Sequence, residues 1–310
     1  MFDVPFLSHL HPVLEKISQN QGISKPGLYL IATPIGNLAD MSLRGLATLM
    51  SMDVIFCEDT RVTQTLLRAY GLSKPLKPYH QHNASMTKQV IVDLILSGKA
   101  VGLVSDAGLP LVSDPGADVV SLCIHHNLPL TVIPGPSAGI TALMTSGLSA
   151  NQFHFVGFLP AQDKERNLLL ATLKEEQATL IFYEAPHRLL KTLSILQEAF
   201  GERSAVVARE LTKKFEDIQR GDFSQLIDHY KNNGTIKGEI VIVVGGQKEQ
   251  SWDLGRVTPL LHLALQFLRV KDAAQLVSLM TGVSRKDLYE KALEMGHKNV
   301  TGEEGETSVD

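Results

Sequence analysis

Short runs of β-branched and aliphatic residues alternate with longer amphipathic stretches along the first half of the chain. The runs are LYLIA at 28–32, VIFCE at 54–58, VGLVS at 101–105 and LTVI at 130–133. Strands that alternate with helices are typical of βαβ units, which place their strands in a mostly parallel sheet. The first half is therefore predicted to be an α/β domain.

A second series of apolar runs follows, at 153–158, 179–184, 205–210, 215–221 and 239–246, and predicts a second sheet. The polar segment SGLSANQ at 146–152 lies between the two series and is the expected domain boundary. The predicted divisions are an N-terminal extension (1–26), a first α/β domain (27–147), a second α/β domain (148–247), a helical extension (248–296) and a disordered acidic tail (297–310).

The helical extension ends in two predicted helices, at 272–280 and 284–295, joined by Thr281, Gly282 and Val283. A short turn with glycine is found both in helix-turn-helix units and in ordinary packing hairpins. The packing hairpin is the favoured interpretation here.

Composition excludes several classes of protein. No segment has eighteen consecutive apolar residues, so a cytoplasmic protein without a membrane span is expected. Cys57 and Cys123, the chain's two cysteines, lie in apolar runs and predict buried thiols rather than a disulfide or zinc site. The net charge of −4 does not by itself predict a nucleic-acid partner.

Three loops rich in proline and glycine each follow a predicted strand: ATPIGN at 32–37, SDAGLPLVSDPG at 105–116 and PGPSA at 134–138. Open α/β sheets bind ligands at the carboxyl ends of their strands, so the three loops predict one site. Asp106 is expected to contact the ligand, whereas Asp114, before Pro115, is expected to cap a helix. None of the loops matches the glycine patterns of nicotinamide or P-loop nucleotide sites.

Six segments, in this order along the chain, resemble the tetrapyrrole methylase superfamily: ATPIGNLADMSLRGL, CEDTRVT, SDAGLPLVSDPG, PGPSA, FYEAPHR and ARELTKKFE. Within it they are most similar to the ribosomal RNA small subunit methyltransferase I family. The resemblance implies a two-domain tetrapyrrole-methylase-like α/β fold with a C-terminal helical extension. It further implies a homodimer that uses S-adenosylmethionine to methylate the 2′-hydroxyl of a cytidine in 16S ribosomal RNA of the small ribosomal subunit.

Carried over by motif, the resemblance places the methyl donor against residues of both domains. Those of the first domain are Pro34, Asp106, Ala107, Gly108, Leu111, Val112, Ser137 and Ala138. Those of the second domain are Tyr183, Glu210, Leu211, Gly238, Glu239 and Ile240.

A ribose hydroxyl must lose its proton to attack, so a base or a cation that lowers its pKa is expected near the donor. The candidates are Glu58, Asp59, Arg61, Lys213 and Glu216. Asp59 is equally well explained as a helix cap. The candidate RNA-binding residues are His187, Arg188, Arg209, Lys213 and Lys214, for which a solvated charged surface is the alternative.

Two further hypotheses remain open from the sequence. The same fold with a tetrapyrrole or protein acceptor is less favoured, because its first loop, ATPIGN, differs from the GxGPGDP-like loop of relatives that act on tetrapyrroles. A non-catalytic RNA-binding assembly factor is the other. His80 and His82 have no further metal-ligating residue close by, so no metal site is predicted.

Overall fold

The structure is a computed structural model that describes residues 4–21, 25–232, 234, 236–247 and 252–300. The chain separates into two compact units, 1–247 and 248–310. The first unit contains two five-stranded sheets, and the second is helical. The predicted α/β fold with C-terminal helices is confirmed, whereas the bounds of the five predicted divisions stay a prediction.

The first sheet is parallel throughout, with strand order β3-β2-β4-β1-β5. Its strands are β1 (Gly27–Ile31), β2 (Val54–Cys57), β3 (Leu76–Pro78), β4 (Ala100–Val104) and β5 (Leu130–Ile133). Four of them match predicted runs to within a residue or two, and β3 was missed. The connection after β1 leads to β2 on one side of the sheet, and the connection after β4 leads to β5 on the other side. Because β1 and β4 are neighbours, the loops after these two strands flank the topological switch point.

Helices cover both faces of the first sheet. They are α1 (Val4–Gln21), α2 (Leu43–Ser51), α3 (Thr60–Ala69), α4 (Ala84–Leu96) and α5 (Ala117–His125). Ile31 and Ile55 pack with α2 on one face, where α1 adds Leu14. Leu30 and Phe56 pack with α4 and α5 on the other face. The period of two in a strand sends successive side chains to opposite faces, so both cores come from the same short runs. Cys57 and Cys123 are buried free thiols, as expected.

The second sheet is mixed, with strand order β6-β7-β10-β8-β9. Its strands are β6 (Phe153–Phe158), β7 (Thr179–Glu184), β8 (Ser204–Arg209), β9 (Asp217–Asp222) and β10 (Ile240–Val244). Its helices are α6 (Ala138–Ser146), α7 (Asp163–Leu173), α8 (Leu189–Phe200) and α9 (Phe223–Asn232). β6 and β7 are parallel, and the other pairs are antiparallel.

The two faces of the second sheet pack against different partners. Leu180 and Phe182 of β7 face a core formed with α7, α8 and α9. Ile181 faces a second core, which includes Leu143 of α6 and Ile35 from the loop after β1. That second core therefore joins the two sheets, although α6 and Ile35 precede the predicted domain boundary in sequence.

Replacing Phe182 with alanine is expected to lower the free energy of unfolding by about 3–5 kcal/mol, because the ring is fully buried and its loss leaves a cavity. Urea unfolding followed by circular dichroism measures this change. Phe215→Ala is the control, since that ring is 69% exposed, and it should cost less than about 1 kcal/mol. Equal losses for the two variants would contradict the packing described for this sheet.

The C-terminal unit contains α10 (Leu254–Leu265), α11 (Val270–Thr281) and α12 (Arg285–Val300). The three helices share a small core with Val257, Leu261, Val277 and Leu288 at its centre. Gly282 ends α11 in the left-handed conformation at the predicted turn. The predicted disordered tail begins within α12, and 301–310 lie outside the described residues. None of the helices in the described part of the chain is long and apolar enough to cross a membrane.

Candidate functional site

The loops after β1 and β4 are joined at the switch point. The Thr33 N–H donates to the Gly108 carbonyl at 2.9 Å, and the Gly108 N–H donates back at 3.1 Å. The Thr33 hydroxyl also donates to the Ser105 carbonyl. Gly108 has φ +83°, a conformation that glycine adopts without strain. Leu111 and Ser113 also have positive φ, so the loop after β4 is held in an unusual shape by its surroundings.

Asp106 links this loop to the end of β2. Its Oδ1 accepts a hydrogen bond from the Asp59 N–H at 3.1 Å. Asp59 itself caps α3, because its side chain accepts from the Arg61 N–H, and it also pairs with the Arg61 guanidinium at 2.6 Å. These bonds from Arg61 lower the pKa of Asp59 to about 2. The helix-cap alternative for Asp59 is therefore confirmed.

The expectation that Asp114 caps a helix is wrong. The residue at the N-cap of α5 is Gly116, and no side chain caps that helix. Asp114 instead lines a cavity between the two sheets, close to Ser105 and Asp106. Burial raises the pKa of Asp114, and repulsion from Asp106 adds to the effect. The repeat of Val-Ser-Asp eight residues after the first was the sequence signal for this second carboxylate.

Glu58 is exposed at the end of β2, near the same carboxylates. Partial burial raises its pKa, and repulsion from Asp114 and then Asp106 raises it further, while His80 opposes the shift. Burial also raises the pKa of Asp106. With Asp59, four carboxyl groups from two loops thus share one edge of the first sheet.

The third predicted loop, PGPSA, leads into α6 and meets the second sheet. Ser137 is the N-cap residue of α6. The Gly139 N–H in the first turn donates to the Tyr183 hydroxyl of β7 at 3.2 Å. The Tyr183 ring packs edge-on against Phe155 and Phe158 of β6. Tyr183 therefore holds the start of α6 against the second sheet.

Two loops of the second sheet are tied together by Glu210. Its N–H donates to the Glu239 carbonyl, and its Oε1 accepts from the Glu239 N–H, both at 3.0 Å. Lys213 binds the carboxylates of Glu210 and Glu239 at 2.8 and 3.0 Å. Partial burial alone would lower the pKa of Lys213, but these two hydrogen bonds outweigh it and the pKa is raised. Glu216 accepts a hydrogen bond from the Thr212 N–H within the same loop.

These segments enclose a cavity of about 380 Å³ between the two sheets. The predicted donor-binding residues that line it are Asp106, Ala107, Gly108, Val112, Ser137, Ala138, Tyr183, Gly238, Glu239 and Ile240. Those that do not line it are Pro34, Leu111, Glu210 and Leu211. Pro34 is followed by Ile35, which does line it, and Leu211 is buried in the core that joins the two sheets.

Several cavity residues were not assigned to the ligand from the sequence. They are Ile35, Ser105, Leu109, Ser113, Asp114, Phe158, Glu184, Ala185, Pro186 and Val241. Most belong to the motifs already quoted, so position within those motifs was the available signal. Phe158 and Val241 lie outside those motifs, and nothing in the sequence of β6 distinguishes Phe158 from a core phenylalanine.

The predicted basic and catalytic residues lie outside the lining of the cavity. Arg188 pairs with the buried Glu184 at 3.3 Å and donates to the Leu159 carbonyl, so its guanidinium already has protein partners. Arg209 lies 3.6 Å from the carboxylate of Asp217. His187 is exposed, and the Lys214 ammonium lies over the exposed Phe215 ring. Of these residues, His187 and Lys214 are the more accessible to a large acceptor.

Comparison with known proteins agrees with this architecture. The family model for Tetrapyrrole (Corrin/Porphyrin) Methylases matches residues 27–227, and a model for an RsmI C-terminal HTH domain matches residues 255–296. The second match favours the helix-turn-helix interpretation of the helical extension over the packing hairpin preferred from the sequence.

Solved structures show the same fold at low identity. A uroporphyrin-III-C-methyltransferase from Thermus thermophilus aligns with a TM-score of 0.52 and 20% identity, over 71% of this chain and 94% of that one. A diphthine synthase aligns with a TM-score of 0.56 and 14% identity, over 70% of this chain and 89% of that one.

Curated relatives are much closer in sequence. The Ribosomal RNA small subunit methyltransferase I of Mesorhizobium japonicum is 44% identical over 90% of this chain and 95% of its own length. The Bacillus subtilis protein of the same name is 41% identical over 85% of this chain and 92% of its own length. On this match, which covers the α/β unit and the C-terminal helices alike, the chain belongs to the ribosomal RNA small subunit methyltransferase I family, within the tetrapyrrole methylases.

Proposed function

We propose that this protein transfers a methyl group from S-adenosylmethionine to the ribose 2′-hydroxyl of a cytidine in 16S ribosomal RNA. The observation that carries the proposal is the cavity between the two sheets, which is lined by most of the residues that the family resemblance assigns to the methyl donor. The names of the curated relatives support a small-subunit RNA acceptor over a tetrapyrrole.

The residues of the cavity suit S-adenosylmethionine. A volume of about 380 Å³ lies within the range of roughly 300–1,000 Å³ common for small-molecule sites. Asp106 and Asp114 provide carboxylates for a ligand that carries an ammonium and a sulfonium charge. Ile35, Val112 and Ala138 provide apolar walls. Bound here, the donor would supply a methyl group that is carried on a positively charged sulfur. After transfer, that sulfur would leave as a neutral thioether.

The chain's own contribution is alignment and removal of a proton. A rigid cavity that fixes the angle of approach accounts for much of the rate of a displacement reaction. Glu58 is the best placed of the candidate bases, because it is exposed beside the cavity carboxylates and its pKa is raised. Asp59 is a weaker candidate, since its pair with Arg61 holds its pKa low. We assign His187 and Lys214 to the RNA.

Donor affinity is expected to fall as the pH is lowered. Burial raises the pKa of Asp106 and of Asp114, so both take up protons at a higher pH than an ordinary aspartate would. The protonated forms no longer attract a cationic ligand. Calorimetry with S-adenosylmethionine from about pH 8 down to about pH 4, where an ordinary aspartate titrates, measures the effect, and Asp114→Asn should flatten the dependence. An affinity that stays constant over this range would contradict the assignment of these carboxylates.

The acceptor is tested with labelled donor. Purified protein is incubated with methyl-labelled S-adenosylmethionine and, separately, with unmodified small ribosomal subunits, free 16S ribosomal RNA and a tetrapyrrole precursor. Label in the ribosomal samples is the expected result. Label only in the tetrapyrrole would overturn the acceptor, and RNA binding without any transfer would favour an assembly factor.

The quaternary structure and location are also part of the proposal. The family resemblance implies a homodimer that acts in the cytoplasm, where ribosomal subunits are assembled. Light scattering coupled to size exclusion is expected to give twice the chain mass of 33.9 kDa. A monomer under the conditions of the transfer assay would contradict the dimer.

A further inference from the structure

Lys213 lies in the loop between β8 and β9, where its side chain is half-buried. Its ammonium is 2.8 Å from Glu210 Oε1 and 3.0 Å from Glu239 Oε2. Glu210 belongs to its own loop, but Glu239 immediately precedes β10. One cation therefore connects two loops of the second sheet that are far apart in sequence.

The aliphatic part of the same side chain contacts the first sheet's loop. A Cβ atom added to Gly36 would lie 2.5 Å from Lys213 Cγ and 2.8 Å from Cε. It would also lie 3.0 Å from the Leu211 carbonyl oxygen. The absence of a side chain at Gly36 thus allows the loop after β1 to lie directly against the Lys213 stem.

The three segments that Lys213 touches all form or adjoin the cavity wall. Ile35, which precedes Gly36, lines the cavity from the first sheet. Gly238 and Glu239 line it from the second sheet. Lys213 itself does not line it, so this residue lies behind the wall instead of facing the ligand.

The charge of Lys213 is already matched by protein groups. Two carboxylates accept its hydrogen bonds, and charge-assisted bonds of this kind are about twice as strong as neutral ones. Both Glu210 and Thr212 have positive φ, at 52° and 66°, so the loop is held in a conformation that needs support from its contacts. These two bonds leave the ammonium one N–H donor for any further acceptor.

We propose that Lys213 is a positioning residue that latches the loop at Ile35 and Gly36 to the loops at Glu210 and Glu239, and so holds the donor cavity in its binding shape. The inference rests on the proposed function, in that the cavity is taken as the donor site. It replaces the acceptor-side role that the sequence motif indicated for Lys213.

The first test separates donor affinity from turnover. Lys213→Met keeps the aliphatic stem and removes the charge, Lys213→Arg keeps the charge, and Lys191→Met, at an exposed position on α8, is the matched control. Calorimetry with S-adenosylmethionine and with S-adenosylhomocysteine should show about tenfold weaker binding for Lys213→Met, partial recovery for Lys213→Arg and no change for the control. The kcat for RNA methylation at saturating donor should change by less than about threefold.

The opposite pattern of donor affinity and kcat would overturn the positioning role of Lys213. Unchanged donor affinity in Lys213→Met, together with a lower kcat or a higher KM for RNA, would return Lys213 to the acceptor side. Failure of the wild-type protein to bind either ligand would instead refute the proposed function. Urea unfolding of each variant shows whether a loss of affinity comes from unfolded protein.

A double-mutant cycle tests the contact between the stem and Gly36. Gly36→Ala introduces a methyl group against the Lys213 stem and should weaken donor binding in the wild-type background. In a Lys213→Ala background the Cγ and Cε atoms are gone, so the same change should cost less. Strictly additive effects on donor affinity would show that the stem does not hold this loop.

Discussion

Replacing Asp106 with alanine is expected to weaken S-adenosylmethionine binding by roughly 5- to 150-fold, which corresponds to a loss of about 1–3 kcal/mol for a buried polar group left without its partner. Asp106 lines the cavity and also accepts the Asp59 N–H at 3.1 Å. The alanine variant removes both the charge and the support of the loop at Asp59. Calorimetry with purified protein measures the change.

Asp106→Asn separates these two roles. The amide oxygen still accepts the Asp59 N–H, while the negative charge is lost, so an intermediate loss of affinity is expected. Asp228→Ala, at an exposed position on α9, is the control and should bind the donor like the wild type. Wild-type affinity in Asp106→Ala would remove Asp106 from the donor site.

Replacing Glu58 with glutamine is expected to lower kcat by about 10²- to 10⁴-fold, the usual contribution of a general base, while donor affinity changes less than about twofold. Glutamine has nearly the same shape but cannot accept a proton. The wild-type rate should rise with pH as Glu58 ionises. This rise should occur at a higher pH than the ionisation of an ordinary glutamate, because burial and the nearby Asp114 and Asp106 raise the pKa of Glu58. The Glu58→Gln variant should lose that limb of the pH profile.

The control for Glu58 is Glu198→Gln, an exposed glutamate on α8 whose replacement should leave the rate unchanged. Asp59→Asn gives the sharper comparison, since the pKa of Asp59 is held at about 2 and the residue is a poor base near neutral pH. A larger loss of kcat in Asp59→Asn than in Glu58→Gln would transfer the role of base to Asp59.

The strands of the fold were predictable wherever a run was long enough to show its period. β3 was missed because it has three residues, Leu76, Lys77 and Pro78, with a proline at one end and Pro75 just before it. Proline cannot donate to a strand ladder and is confined to sheet edges. β3 is an edge strand, so its pairing with β2 depends on the neighbouring structure more than on its own residues.

The site was predictable as a set of loops but not as a set of contacts. Glycine and proline after each strand mark where the backbone turns, and the carboxyl ends of parallel strands meet at one edge. The partners of a side chain depend on segments distant in sequence. The local sequence Asp114-Pro115-Gly116 is the same whether Asp114 caps a helix or faces a cavity. The pairing of Lys213 with Glu239 joins residues that are 26 positions apart.

Transfer to a ribose hydroxyl is tested directly by the chemistry of RNA hydrolysis. Alkali cleaves a phosphodiester bond only where the adjacent 2′-hydroxyl is free. Small subunits labelled by the wild-type protein, and as control by Asp106→Ala, are therefore hydrolysed in alkali and the products separated by length. We expect the label in an alkali-resistant dinucleotide from wild-type samples and little label in the control, whereas label in mononucleotides would place the methyl group on a base and contradict the account.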